Sequence, residues 1–155
     1  MKKLLPALIG ILYVFVTQAQ NSPAGAGQVV KWNFSAKKIA DKTYEVTMTA
    51  AVQSPWHIYS QTTPDGGPLP TKITYSKNPL ITIEGAAKES GKVITKHEEV
   101  FGVDVIYFDG NVIFTQTVKL KTNAKTNLSG RFEYMVCNDA QCLPPTTVNF
   151  SVPLQ

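Results

Sequence analysis

The stretch Thr43-Tyr44-Glu45-Val46-Thr47-Met48-Thr49-Ala50-Ala51-Val52-Gln53 decides the fold. Tyr44, Val46, Met48, Ala50 and Val52 share one face, while Glu45, Thr47, Thr49 and Gln53 take the other. A period of two is the mark of a half-buried β-strand. Upstream, Val30, Trp32 and Phe34 alternate in the same way. Downstream, short runs rich in Val, Ile, Thr, Tyr and Phe predict strands near 56–60, 71–76, 80–84, 92–97, 104–108, 111–120, 130–137 and 146–152. Asp109-Gly110, between two apolar runs, predicts a hairpin turn because both residues tolerate positive φ. Residues 64–68 (PDGGP) predict a tight loop, and 123–129 a polar turn. No window of helical period carries caps at both ends. Short strands at even spacing, with most of the 10 Pro and 10 Gly between them, predict one all-β antiparallel sandwich.

Residues 1–19 stand apart from that domain. Lys2 and Lys3 form a positive start, residues 4–16 an apolar core, and Thr17-Gln18-Ala19 a small-residue cleavage site, the pattern of a signal peptide. The apolar run falls short of the roughly 20 residues of a membrane span. The expected organisation is a signal peptide over 1–19, a flexible lead-in over 20–27 and a β domain over 28–155, with no membrane span after cleavage. The 15 basic residues include Lys2 and Lys3; without them the balance is 13 to 11, or +2. A near-neutral chain with no Lys/Arg stripe is not built for nucleic acid.

Export changes how the two cysteines read. In Tyr134-Met135-Val136-Cys137-Asn138-Asp139-Ala140-Gln141-Cys142-Leu143-Pro144-Pro145, Cys137 ends a strand and four turn-forming or polar residues lead to Cys142. In an oxidising compartment such a pair tends to be a disulfide. A ring this small would stabilise the fold by only about 2 kcal/mol, whereas an exposed turn suits attack by a partner thiolate. Three readings stand on these residues: a redox-active pair, a structural staple in a non-catalytic binding module, and a Cu(I) site in which Cys137 and Cys142 join Met135 and a histidine. A zinc site lacks a second Cys pair or a spaced His pair.

The segments YMVCNDAQCLPP (134–145), WHIYSQTTPDGGPLPTKI (56–73) and HEEVFGVDVIYFDG (97–110) resemble the N-terminal periplasmic domain of the thiol:disulfide interchange protein DsbD family. The likeness spans roughly 28–154, and Cys-x4-Cys-Leu-Pro-Pro is its most specific part. It implies an immunoglobulin-like fold and a periplasmic thiol-disulfide relay, with no cofactor and no metal. It implies that Cys142 forms the mixed disulfide with the partner and Cys137 resolves it. The implied partners are thioredoxin-fold periplasmic proteins, such as disulfide isomerases or cytochrome c maturation proteins.

The resemblance also implies that Phe101, on a loop with a Gly102 hinge, caps the thiols, and that His57 and Tyr59 line their pocket; Tyr107 matches more weakly. Acids commonly precede the cap aromatic; here Glu98 and Glu99 stand one position back, and Glu99 is the expected acid. Two departures accompany the match. The spacing between the cysteines is short. The family is commonly fused to a membrane domain, whereas this sequence ends at Gln155, so a separate membrane electron donor is expected.

Overall fold

The computed structural model describes residues 25–155; the expected signal peptide and most of the lead-in lie outside them. The chain begins with a single helical turn, α1 (Ala26–Val29). Its Ala26, expected to be part of the lead-in, is fully buried against the core. The strands follow in order: β1 (Val30–Ala40), β2 (Thr43–Val52), β3 (His57–Tyr59), β4 (Lys72–Tyr75), β5 (Ile81–Glu98), β6 (Val103–Leu120), β7 (Thr126–Tyr134), β8 (Val136–Cys137) and β9 (Thr146–Leu154).

They form two antiparallel sheets in an immunoglobulin-like sandwich. The smaller is β4-β7-β9; the larger runs β1-β2-β6-β3-β8, with β5 also paired to β6. The alternation read from the sequence is the observed one. Trp32 pairs with Ala50 and Phe34 with Met48, and β2 alternates strictly between buried and half-buried residues. Trp32 and Phe34 project from the larger sheet onto Phe132 of the smaller, with ring centroids 4.3 and 6.2 Å away. Burial of such rings is the main source of stability in a sandwich of this size.

The expected turn at Asp109-Gly110 does not exist. Both residues lie inside β6, one 18-residue strand that pairs with β5 along nearly all its length. On its other edge β6 pairs with β3 through Asp109 and with β2 from Asn111 onward. Gly110, at φ +82°, sits where β6 exchanges one neighbour for the other. The register against β5 slips there too, between Gly91 and Val93. The positive φ that suggested a turn serves a bulge that redirects a continuous strand. The strands expected at 80–84 and 92–97 are likewise one, β5.

The strand expected over 130–137 is two. It starts earlier, at Thr126, inside the expected polar turn, and it changes sheet at Met135: Tyr134 ends β7 in the smaller sheet and Val136 opens β8 in the larger. This crossing delivers Cys137 to the larger sheet beside β3.

Candidate functional site

Directly opposed residues in an antiparallel pair share a face. His57 is opposite both Asp109 and Cys137, and Tyr59 is opposite Tyr107. Ile58, Phe108 and Val136 therefore point the other way, into the main core between the sheets. Tyr59, Val105 and Cys137 build a second, smaller cluster on the outer face, flanked by Val103, Tyr107 and Met135. The cysteine site is thus a satellite of the core.

Cys137 and Cys142 are joined by a disulfide, with Cα atoms 4.0 Å apart. The ring closes on a short reverse turn. Asn138 and Gln141 pair through the backbone, and Leu143 N–H donates to the Val136 carbonyl, both at 2.9 Å. The Asn138 side-chain oxygen accepts from the N–H groups of Ala140 and Gln141, also at 2.9 Å. Leu143 is buried in the main core and anchors the far end of the turn. The two sulfur-bearing residues differ in access: Cys137 is 2% exposed, while Cys142 lies on the surface.

A pocket of about 390 Å³ opens over the disulfide. His57, Tyr59 and Tyr107 form its aromatic wall, in which the His57 and Tyr107 rings lie 4.1 Å apart. His57 Nε2 and the Tyr59 hydroxyl are 3.2 Å apart, within hydrogen-bond reach. Burial lowers the His57 pKa, against the opposing pull of Asp139 and Glu98. Burial, with Glu98 and Tyr107 in support, pushes the Tyr59 hydroxyl up to about 12.

The other wall is the tip of the β5–β6 hairpin. Four residues, 99–102, connect the strands, with Gly102 at φ +66° and both Phe101 and Gly102 N–H donating to the Glu98 carbonyl. Phe101 is 43% exposed and lines the pocket with both cysteines. Gly67, in the loop after β3, lies against the base of this tip; a Cβ there would come within 3.3 Å of Val103.

Of the expected site residues, the structure brings Cys137, Cys142, Phe101, Tyr59 and His57 to one pocket, and Tyr107 with them. Glu99 is not among them: it is exposed on the tip, and Glu98 lines the pocket in its stead, bridged to Lys96 at 2.9 Å. Alternation decides this, because Glu98 is the last residue of β5 on the face that carries Lys96. Lys96 and Asp139 also line the pocket and were missed; alternation along 92–98 would have found Lys96. Among the described residues, no three His, Cys, Asp or Glu side chains are grouped to hold a metal ion, and no helix is long and apolar enough to cross a membrane.

What fold and site define together is an immunoglobulin-like domain with a solvent-reached disulfide set under a hairpin tip. The family model described as the N-terminal domain of the thiol:disulfide interchange protein DsbD matches residues 26–154, and the chain belongs to that family. Among solved structures, the chain is similar to the Neisseria meningitidis DsbD N-terminal domain in its reduced form, with TM-score 0.55 and 13% identity over 86% of this chain and 91% of that one. It also matches the N-terminal periplasmic domain of ScsB from Proteus mirabilis, with TM-score 0.47 and 13% identity over 81% of this chain and 44% of that one. At 13% identity the Neisseria meningitidis structure speaks to the fold alone. No curated protein matches the chain.

Proposed function

We propose that the chain is a periplasmic thiol-disulfide exchange domain that passes reducing equivalents through Cys137 and Cys142 to thioredoxin-fold partners. The observation that carries this reading is the unequal access of the two sulfurs: Cys137 is buried and Cys142 is exposed at an open pocket. Exchange uses such a difference, because one sulfur meets the partner nearly in line while the other waits.

In the reduced domain the Cys142 thiolate attacks a sulfur of the partner disulfide. A mixed disulfide forms, and the second partner cysteine leaves as a thiolate. Cys137, as thiolate, then attacks Cys142 Sγ; the Cys137–Cys142 bond forms and the partner departs with both sulfurs reduced. Two electrons have passed to the partner. A membrane protein donor, working through the reverse sequence, recharges the pair. Phe101 screens the sulfurs between encounters, and Glu98 supplies the acidic group beside them.

The test is trapping. A Cys137→Ser chain should accumulate a mixed disulfide through Cys142 with a periplasmic thioredoxin-fold protein, visible on a non-reducing gel and lost on reduction. A Cys142→Ser chain should not. Failure of Cys137→Ser to trap any such partner would overturn the reading. So would a reduction potential for the pair well below about −300 mV, the range of inert structural bridges.

A further inference from the structure

Resolution of the mixed disulfide poses a problem that the exposed half of the reaction does not. Cys137 must lose its proton before it can attack, and it lies 2% exposed among Tyr59, Val105 and Met135, where water is poorly placed to take that proton. Thiols in apolar surroundings ionise poorly. The side chain directly across the β3–β8 pair from Cys137 is His57. Directly opposed residues hold their Cβ atoms about 4.5–5.5 Å apart on one face, and the two side chains line the same pocket.

We propose, resting on the exchange function above, that His57 is the proton acceptor for Cys137 in the resolving step. In the tautomer this step uses, Nε2–H donates to the Tyr59 hydroxyl oxygen, which leaves the Nδ1 lone pair to receive the proton. As the Cys137 S–H bond breaks, its proton passes to Nδ1. The thiolate electron pair forms the bond to Cys142 Sγ, and the Cys142–partner bond breaks with its electrons leaving on the partner sulfur. His57 then releases the proton to solvent through the open pocket.

The surroundings suit both states of the ring. Burial keeps the resting imidazole neutral and able to accept. Once protonated it is faced by Asp139 from the cysteine turn, Glu98 from β5 and Asp109 from β6, which favour the cation; Lys96 from β5 opposes them. The Tyr59 and Tyr107 rings complete the enclosure. Stabilising charge thus comes from three segments of the chain, against a single opposing cation.

The step can be isolated with a small disulfide. The reduced full chain is mixed in a stopped-flow instrument with dithiobis(nitrobenzoate), whose thiolate is coloured. Attack by Cys142 releases one coloured thiolate at a rate that depends on reagent concentration. Attack by Cys137 releases the second at a rate that does not. We expect His57→Gln to slow the second phase by roughly a hundredfold, the lower range of general-base catalysis, and the first phase far less. The imidazole titration should also vanish from the pH profile of the second phase. A second phase unchanged in the variant, or slowed with its pH profile intact, overturns the proposal.

In His57→Ala, free imidazole should restore the second phase; no restoration in a variant with native circular dichroism counts against the proposal as well. A wild-type chain that never releases the second thiolate would instead refute the exchange function itself.

Discussion

Cys137 and Cys142 face each other across an isolated antiparallel bridge as well as through their sulfurs, yet one is buried and the other exposed. After reduction that inequality should persist, because Val136 and Leu143 still tie both ends of the turn to the core. Brief alkylation of the reduced chain should therefore label Cys142 well ahead of Cys137. Peptide mass spectrometry reads the order directly, and equal labelling would mean that the turn melts on reduction.

The same turn predicts a small stability cost for reduction. It already holds four hydrogen bonds that do not involve sulfur: two between backbone groups and two to the Asn138 side chain. The disulfide closes a ring with a sequence separation of only 5, for which chain entropy gives about 2 kcal/mol. Urea unfolding of Cys137→Ser/Cys142→Ser should show a loss of that size or less. A loss of the size expected for a long-range bridge would favour a structural role.

Phe101 separates capping from folding. It lies on the hairpin tip, 43% exposed, and belongs to neither core cluster. Phe101→Ala should change stability by only about 0.5 kcal/mol, as for an ordinary surface site. It should nevertheless speed reduction of the disulfide by a bulky thiol, followed as loss of the oxidised form over time. An unchanged rate would remove Phe101 from the site.

The smaller sheet offers a check on the fold itself. Gly130, in β7, has no room for a side chain: a Cβ would lie 2.5 Å from the Thr74 carbonyl oxygen and 2.8 Å from the Phe150 ring. The carbonyl belongs to the paired strand β4 and cannot yield without loss of register. Gly130→Ala should cost about 1–3 kcal/mol, the usual penalty of overpacking. Thermal unfolding measures it.

How much of this was legible beforehand depended on the range of the signal. Alternation in 43–53 comes from each residue's own neighbours, so β2 and its faces were readable, as were His57 and Tyr59 on one side of β3. Asp109-Gly110 misled because positive φ at glycine serves turns and bulges equally. The choice is made by β3 and β2, more than fifty residues upstream, which share the far edge of β6. The sheet change at Met135 was hidden for a similar reason, since apolar residues on both sides of it suit either sheet. Glu98 rather than Glu99 faces the pocket because β5 runs unbroken from Ile81 into the tip, a continuity that no short-range pattern in 80–97 carries.

The pocket should also make the domain sensitive to alkali. An unfolded tyrosine ionises near 10.0, whereas Tyr59 in the folded chain holds its proton to about 12, chiefly because it is buried and secondarily because Glu98 and Tyr107 disfavour a phenolate beside them. Between those two values the unfolded chain has lost a proton that the folded chain keeps. Stability must then fall as pH rises through that window, and it is unaffected by this group below it. Tyr75 and Tyr134, also raised by burial, act in the same direction, so the wild-type slope is a joint one. Tyr59→Phe removes its share alone. The urea midpoint of the variant should decline less steeply above pH 10.0 than that of the wild type. Identical slopes would mean that the Tyr59 hydroxyl meets solvent freely and that the pocket is more open than its aromatic wall suggests.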